Sequence, residues 1–165
     1  MTADELRARQ APVKARYREN PGSAAVTLKA RGTLKRQELV CSVETDNGPI
    51  AAGLHPATGG DGLSACSGDM LLQSLVACAG VTLQAVATAL SIPLRGGRVT
   101  AEGDLDFRGT LGVSKEVPVG FKEIRLSFDL DTNATAEQLA TLLKLTERYC
   151  VIYQTLKNPP AIAVK

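Results

Sequence analysis

The chain has 165 residues, 44% of them hydrophobic and 22% charged, with a net charge of +2. That suits one folded domain, or one domain with an appendage, long enough to build a core without disulfide staples. The longest unbroken apolar run, LVACAGV, is about seven residues; a membrane span needs roughly 20, so no crossing of a bilayer is expected.

The N-terminal stretch MTADELRARQ contains acids and no apolar core of a signal peptide, which points to the cytoplasm, where thiols are kept reduced. Residues 1–36 carry nine Lys/Arg against three acids, and the remainder ten against fourteen, so a basic arm precedes an acidic body. Nucleic acid is a disfavoured partner for this arm, because the chain has no Trp, only 4% aromatic residues and no recognisable nucleic-acid motif. Leu6, Val13 and Tyr17 recur at helical spacing, interrupted by Pro12 and ended by NPGS, which predicts one kinked helix or two short ones. We take 1–22 as this arm and 23–165 as the main domain.

Two strand-like runs follow, AAVTLKAR (24–31) and QELVCSVET (37–45), joined by GTLKR into an antiparallel hairpin. Cys41 in the second run reads as a passive, half-buried strand residue. The Gly-, Pro-, Asp- and Ser-rich segment 46–67 reads as a long loop, a kind that is often functional inside a compact domain. DMLLQSLVACAGVTLQAVATAL, 69–90, then predicts a buried helix with Ser64 or Ser67 as its cap and its end near Pro93. Strands near 98–107 and 121–130 come next, the second with Ile124, Leu126, Phe128 and Leu130 on one face. TAEQ, 135–138, is a capping box for a helix carrying Leu139, Leu142, Leu143 and Leu145 towards ERYCVIYQTLKN, and AIAV closes the chain as a short strand. Without regular βαβ alternation, this order predicts an α+β fold with a largely antiparallel sheet.

One His and four cysteines without a C-x-x-C spacing leave little basis for a metal site, and no cofactor is expected. His55 reads as a polar loop residue, and ATGGDG lacks the Lys-Ser/Thr ending of a phosphate-binding loop. Cys66 reads as a bystander, with an alternative resolving thiol as the other reading. Cys78 and Cys150 are the informative pair, since each closes a helical stretch that follows a cap: SGDMLLQSLVAC and TAEQLATLLKLTERYC. Ser74, Cys78 and Thr82 fall on one face of the first helix, proposed to face the site. Gln73, Ala77, Gly80 and Gln84 share another, and its small residues Ala77 and Gly80 are expected to meet a second helix.

On these features the chain from about Ala24 to Lys165 resembles the OsmC and organic hydroperoxide resistance family of thiol peroxidases. The resemblance rests on a hairpin, a Gly-rich loop, a central helix with an acid near its start and a Cys about ten positions later, and a second helical cysteine in ERYC. It implies an intertwined homodimer with a sheet wrapped around two central helices, and active sites at the subunit interface. It also implies peroxidase activity on organic hydroperoxides or hydrogen peroxide, with Cys78 attacking, Cys150 resolving through a Cys78–Cys150 disulfide, and a dithiol reductant, lipoyl-linked, restoring the thiols. A redox-sensing or small-molecule-binding protein without peroxidase turnover is the alternative. In that family an arginine of the first hairpin contacts the peroxide and the thiolate, a role that falls to Arg31, with Arg36 close behind. Asp69 stands for the family's glutamate. Departures are visible: the second motif usually reads Cys-Pro and here is Cys150-Val151, and peroxidase members carry Asn-Pro-Glu where this chain has Ser67-Gly68-Asp69.

A free thiol with a pKa of about 8.5 is a few per cent ionised at neutral pH, so full ionisation gains roughly thirtyfold in rate, or about 2 kcal/mol. The dipole of its own helix cannot supply this at Cys78, about ten residues in, so an external cation is expected. Asp69 lies nine residues back, about 13 Å along the axis and on the opposite face. It could serve a Cys78 only from a second subunit.

Overall fold

At the N-terminus the Thr2 side chain accepts the Glu5 N–H at 3.2 Å and the Glu5 carboxylate accepts the Thr2 N–H at 2.8 Å. This reciprocal cap opens α1, which runs Ala3–Glu19 in the computed structural model; residues 1–36 and 38–165 are described. Pro12 sits inside α1 without ending it, so the arm is a single helix. Leu6 and Tyr17 of its apolar stripe are half-buried and Val13 is exposed.

The first hairpin is displaced from its expected position. β1 is Gly32–Leu34, inside the stretch read as the turn, and β2 is Val40–Val43, paired antiparallel with Gly32 opposite Val43 and Leu34 opposite Cys41. The expected strand over 24–31 is absent: Pro21–Ala24 forms a 3-10 turn, and among the described residues no strand lies opposite 25–31, so its alternation finds no ladder. Gln37, first residue of the second predicted run, lies outside the described residues.

The long loop also contains structure. Thr45–Gly48 turns the chain, with Gly48 at φ 106°, where a side chain would be strained. β3, Ile50–Gly53, then pairs antiparallel with β2, and β4, Ala65–Cys66, pairs parallel with β3. IAAG carries little β-propensity of its own; its pairing with β2 makes it a strand.

α2, Ser67–Ala89, leads through Ile92 and Pro93 into β5, Leu94–Asp104. α3, Phe107–Thr110, is a single turn capped by the Asp106 carboxylate. β6, Glu123–Thr132, pairs with β5, and its Ile124, Leu126, Phe128 and Leu130 are half-buried while Glu123, Arg125 and Asp129 are exposed, the alternation read from the sequence. The Thr135–Gln138 capping box opens α4, Ala136–Tyr149, with both reciprocal bonds made at 3.2 and 2.9 Å. α5 is Val151–Lys157. The expected final strand AIAV is not formed; Ile162 is 89% and Val164 95% exposed, and no strand among the described residues pairs with it.

The chain divides into two compact units. The first gathers Met1–Val26, Ser74–Thr100 and Leu126–Lys165; the second holds Thr27–Gln73 and Ala101–Arg125. The first unit's core is Leu83, Ala87, Ile92 and Leu142, flanked by Val86, Leu94, Phe128, Leu130, Leu139 and Leu143. Here α2 and α4 meet apolar side chains of β5 and β6. Within the chain, a Cβ at Gly80 would meet Val99 of β5 at 3.7 Å, and Ala77 is exposed. In the second unit Gly103 makes room for the Phe121 ring, which a Cβ would approach to 2.5 Å.

Leu142 is fully buried, so Leu142→Ala leaves a cavity and is expected to lower stability by about 2–5 kcal/mol in denaturant unfolding. Thr141→Ala, one residue away and exposed, is expected to change it by less than about 0.5 kcal/mol.

Candidate active site

α4 ends at Tyr149, and Cys150 is at once its C-cap and the N-cap of α5, with extended backbone at φ −72° and ψ 110°. The break is held from both sides. The Cys150 N–H still donates to the Thr146 carbonyl at 2.9 Å, and the Cys150 carbonyl accepts the Gln154 N–H at 2.9 Å. Gln154 returns its side-chain amide to the Glu147 carbonyl at 2.8 Å, and the Tyr153 hydroxyl donates to the Glu147 carboxylate at 3.1 Å. Beneath it Thr146 is buried, its hydroxyl satisfied by the Leu142 carbonyl at 2.8 Å. A helix start exposes four backbone N–H groups without intrahelical partners; the first of these in α5 belong to Val151, Ile152 and Tyr153.

Cys78, half-buried on α2, lies beside this break. Burial on its own raises the Cys78 thiol, but the Ile152 N–H, the Cys150 side chain, the Val151 N–H and the Thr82 hydroxyl all hydrogen-bond the sulfur, and together they hold it below the ordinary thiol value. For Cys150, 1% exposed, burial is the largest influence and raises the thiol. The Tyr153 and Ile152 N–H groups oppose this, the hydrogen bond to Cys78 and the Cys78 charge add to it, and the net displacement is upward. The two thiols are thus unequal: Cys78 ionises first, and Cys150 keeps its proton and donates it to the Cys78 sulfur.

Cys78 is too deep in α2 for its own helix start to act on it, but the first turn of a different helix, α5, reaches it. None of the groups with the largest effect on Cys78 is a side-chain cation. Thr82, one turn along from Cys78, is the member of the polar stripe that bonds the sulfur. Val151 and Ile152 were missed, because backbone donors leave no residue-type signal. The one available clue was Cys150-Val151 itself: a proline after the cysteine has no N–H to give.

Arg31 and Asp69 belong to the second unit, and both are exposed. Arg31 precedes β1, its carbonyl accepting the Glu44 N–H at 3.0 Å; Arg36 follows β1 and is exposed. Asp69, in the first turn of α2, lines a second-unit cavity of about 350 Å3 with His55, Cys66, Leu72, Phe107 and Phe121. The His55 Nδ1 accepts the Ala57 N–H at 3.0 Å, and its ring stacks on Phe107 with centroids 5.0 Å apart, so this histidine ties down its own turn. Cys41 is half-buried in β2 opposite Ala52. Among the described residues no cluster of His, Cys, Asp and Glu is arranged to hold a metal ion.

A family model described as OsmC-like protein matches residues 59–165. No curated protein matches the sequence. Solved structures do match the fold. The OsmC-like protein from Mycoplasma pneumoniae superposes with a TM-score of 0.67 at 16% identity, covering 81% of this chain and 89% of that one. An organic hydroperoxide resistance protein from Elizabethkingia anophelis, solved with thiocyanate bound, gives 0.65 at 17% identity, covering 82% and 91%. An OsmC-like protein of unknown function from Vibrio cholerae gives 0.61 at 17%, covering 79% and 94%.

The unequal thiols set a pH dependence. Alkylation by iodoacetamide, followed at each cysteine by peptide mass spectrometry, is expected to give Cys78 a midpoint below the ordinary value of about 8.5 and Cys150 a midpoint above it. Val151→Pro suits the first position of α5 and removes one donor, so it moves the Cys78 midpoint up and slows its alkylation about two- to tenfold at pH 7. A Cys78 midpoint at or above that of free cysteine contradicts the assignment.

Proposed function

Because this chain belongs to the OsmC-like protein family, we propose that it is a thiol-dependent peroxidase acting on organic hydroperoxides or hydrogen peroxide. The observation that carries the reading is the hydrogen-bonded pair of unequal thiols, Cys78 held low and Cys150 held high. The Cys78 thiolate attacks the distal peroxide oxygen; the O–O bond breaks, Cys78 becomes a sulfenic acid, and the alcohol or water leaves after taking up a proton. Cys150, already in hydrogen-bond contact, then attacks the Cys78 sulfur. A disulfide forms and the sulfenic oxygen departs as water. A dithiol, lipoyl-linked on the family resemblance, returns two electrons and restores both thiols. The cytoplasm supplies the reducing surroundings this cycle needs.

Ionisation accounts for only about 2 kcal/mol of the barrier. The remainder requires positioning of the peroxide and stabilisation of charge on its leaving oxygen, for which a guanidinium is well suited. Arg31 is the residue proposed for this role and Asp69 the residue proposed to orient it, both acting on the Cys78 of a second subunit.

A homodimer also answers the composition of α2. Its most apolar stretch has mean hydropathy 1.7, long and apolar enough by those measures to cross a membrane, yet only 28% of that stretch is buried. Gln73, Ser74, Thr82 and Gln84 interrupt the apolar run, which is why run length alone did not register it. A second copy covering the face that includes Val81, 71% exposed, removes this apolar surface from water.

Cys78→Ser is expected to abolish peroxide consumption, a loss of at least about a hundredfold. Cys150→Ser should complete one turnover and accumulate a sulfenic acid trapped by dimedone. Undiminished consumption by Cys78→Ser refutes the proposal, and cysteines that oxidise without catalytic turnover mark a redox sensor instead. Sedimentation equilibrium should return twice the chain mass, and Val81→Glu should shift it towards the monomer.

A further inference from the structure

No residue of α1 is buried, and a 17-residue helix that contains Pro12 is marginal in water on its own. Ala3, Leu6, Gln10, Val13 and Tyr17 follow one another at alternating steps of three and four and form one stripe along it. Ala3, Leu6 and Tyr17 are half-buried; Gln10 and Val13, in the middle of the stripe, are exposed. Arg7, Lys14 and Arg18 border the stripe on one side and Arg9 and Arg16 on the other, so from Arg7 to Arg18 the helix has five cations and no acid. We propose that this stripe docks on the acidic surface of residues 38–69 in a second copy of the chain. This rests on the homodimer of the proposed function, and names a surface through which that dimer is held.

Charge complementarity selects the occupant. Glu38, Glu44, Asp46, Asp61 and Asp69 are all exposed, and the stretch they span contains no Lys or Arg. Among the described residues Arg9, Lys14, Arg16 and Arg18 form no ion pair, and Arg7 pairs only with Asp4 of its own helix. Glu44, Asp46, Asp61 and Asp69 likewise form none. Opposite charges that each chain leaves unpaired on two of its own stretches are matched when two chains meet. The acidic stretch also exposes Leu39, Ile50, Leu54 and Leu63, apolar surface for Leu6, Val13 and Tyr17.

A second α1 does not fit the stripe. Two such helices, parallel or antiparallel, set Arg and Lys against Arg and Lys along both borders, and like charges there oppose pairing. The arm also begins in the right place for contact between copies. Met1, Thr2 and Ala3 line a cavity of about 690 Å3 together with Gly80, Gln84 and Thr88 of α2. Gln84 and Thr88 share the α2 face of Val81, the face proposed to receive the second copy. A second copy seated there starts beside the arm, and α1 continues from that point for about 25 Å. Each copy offers one arm and one acidic stretch, so a two-fold dimer makes the contact twice.

The experiment uses the full-length protein with the photo-cross-linking residue p-benzoylphenylalanine in place of Val13. It is prepared in light and heavy nitrogen isotopes, and the two forms are mixed, left to exchange, irradiated and mapped by peptide mass spectrometry. The expected product joins the arm of one isotope to residues 38–69 of the other. In parallel, sedimentation equilibrium is expected to show the dimer dissociation constant raised about tenfold by Arg9→Glu with Lys14→Glu, and about tenfold by Glu44→Lys with Asp46→Lys. All four substitutions in one chain exchange the two charges and should restore association, a result that damage to folding cannot produce. Cross-links confined to one chain or to two arms, association unaltered by either pair, no restoration, or a monomer throughout overturns the proposal. So does an arm whose reversed charges leave association unchanged and abolish binding of a DNA duplex. A dimer indifferent to these charges leaves the homodimer standing while the proposal falls. Cross-linking between copies in a protein that consumes no peroxide upholds the proposal while the peroxidase reading fails.

Discussion

The site depends on one interruption of a helix. Had α4 continued through Cys150, the N–H groups of Val151, Ile152 and Tyr153 would have been spent on carbonyls one turn back. The break at Cys150 frees them, and two of them turn to Cys78. The interruption is fixed by Thr146 beneath it and by Glu147, Tyr153 and Gln154 around it. Backbone donors held in this way do not reorganise when charge develops on sulfur, unlike water.

The same break sets the two thiols apart. Both sulfurs lie close to α5, but donors outweigh burial at Cys78, whereas burial and its partner's charge outweigh the donors at Cys150. The roles proposed for Cys78 and Cys150 rest on that difference. Val151 gives the chain a property of its own: where the family motif usually has proline, this chain keeps an amide hydrogen and uses it on Cys78. The departure from the motif adds a donor to the site.

The second unit holds the remaining polar chemistry. Asp69, His55 and Cys66 share its cavity, and Arg31 stands exposed at the start of β1. Much of the surface of α2 is apolar and unburied in the single chain. A helix of this composition gains by contact with a second copy, and the roles given to Arg31 and Asp69 are roles across such a contact.

Patterns confined to one element were legible in the sequence. The Thr135–Gln138 capping box, the alternation of β6, the central helix, and the pairing of Thr82 with Cys78 one turn away follow from periods of 3.6 and 2.0 and from local hydrogen bonds, which neighbouring residues determine. Features that depend on remote partners were not legible. The segment 25–31 and AIAV have the pattern of strands without a ladder, whereas IAAG lacks the pattern and becomes a strand because β2 lies beside it. Cys78 shows the same division: the sequence marked it, with Cys150, as a cysteine of interest. Only the tertiary structure, by bringing the first turn of α5 against α2, decided which groups hold its charge, because a backbone N–H has no letter in the sequence and acts on whatever the fold places before it.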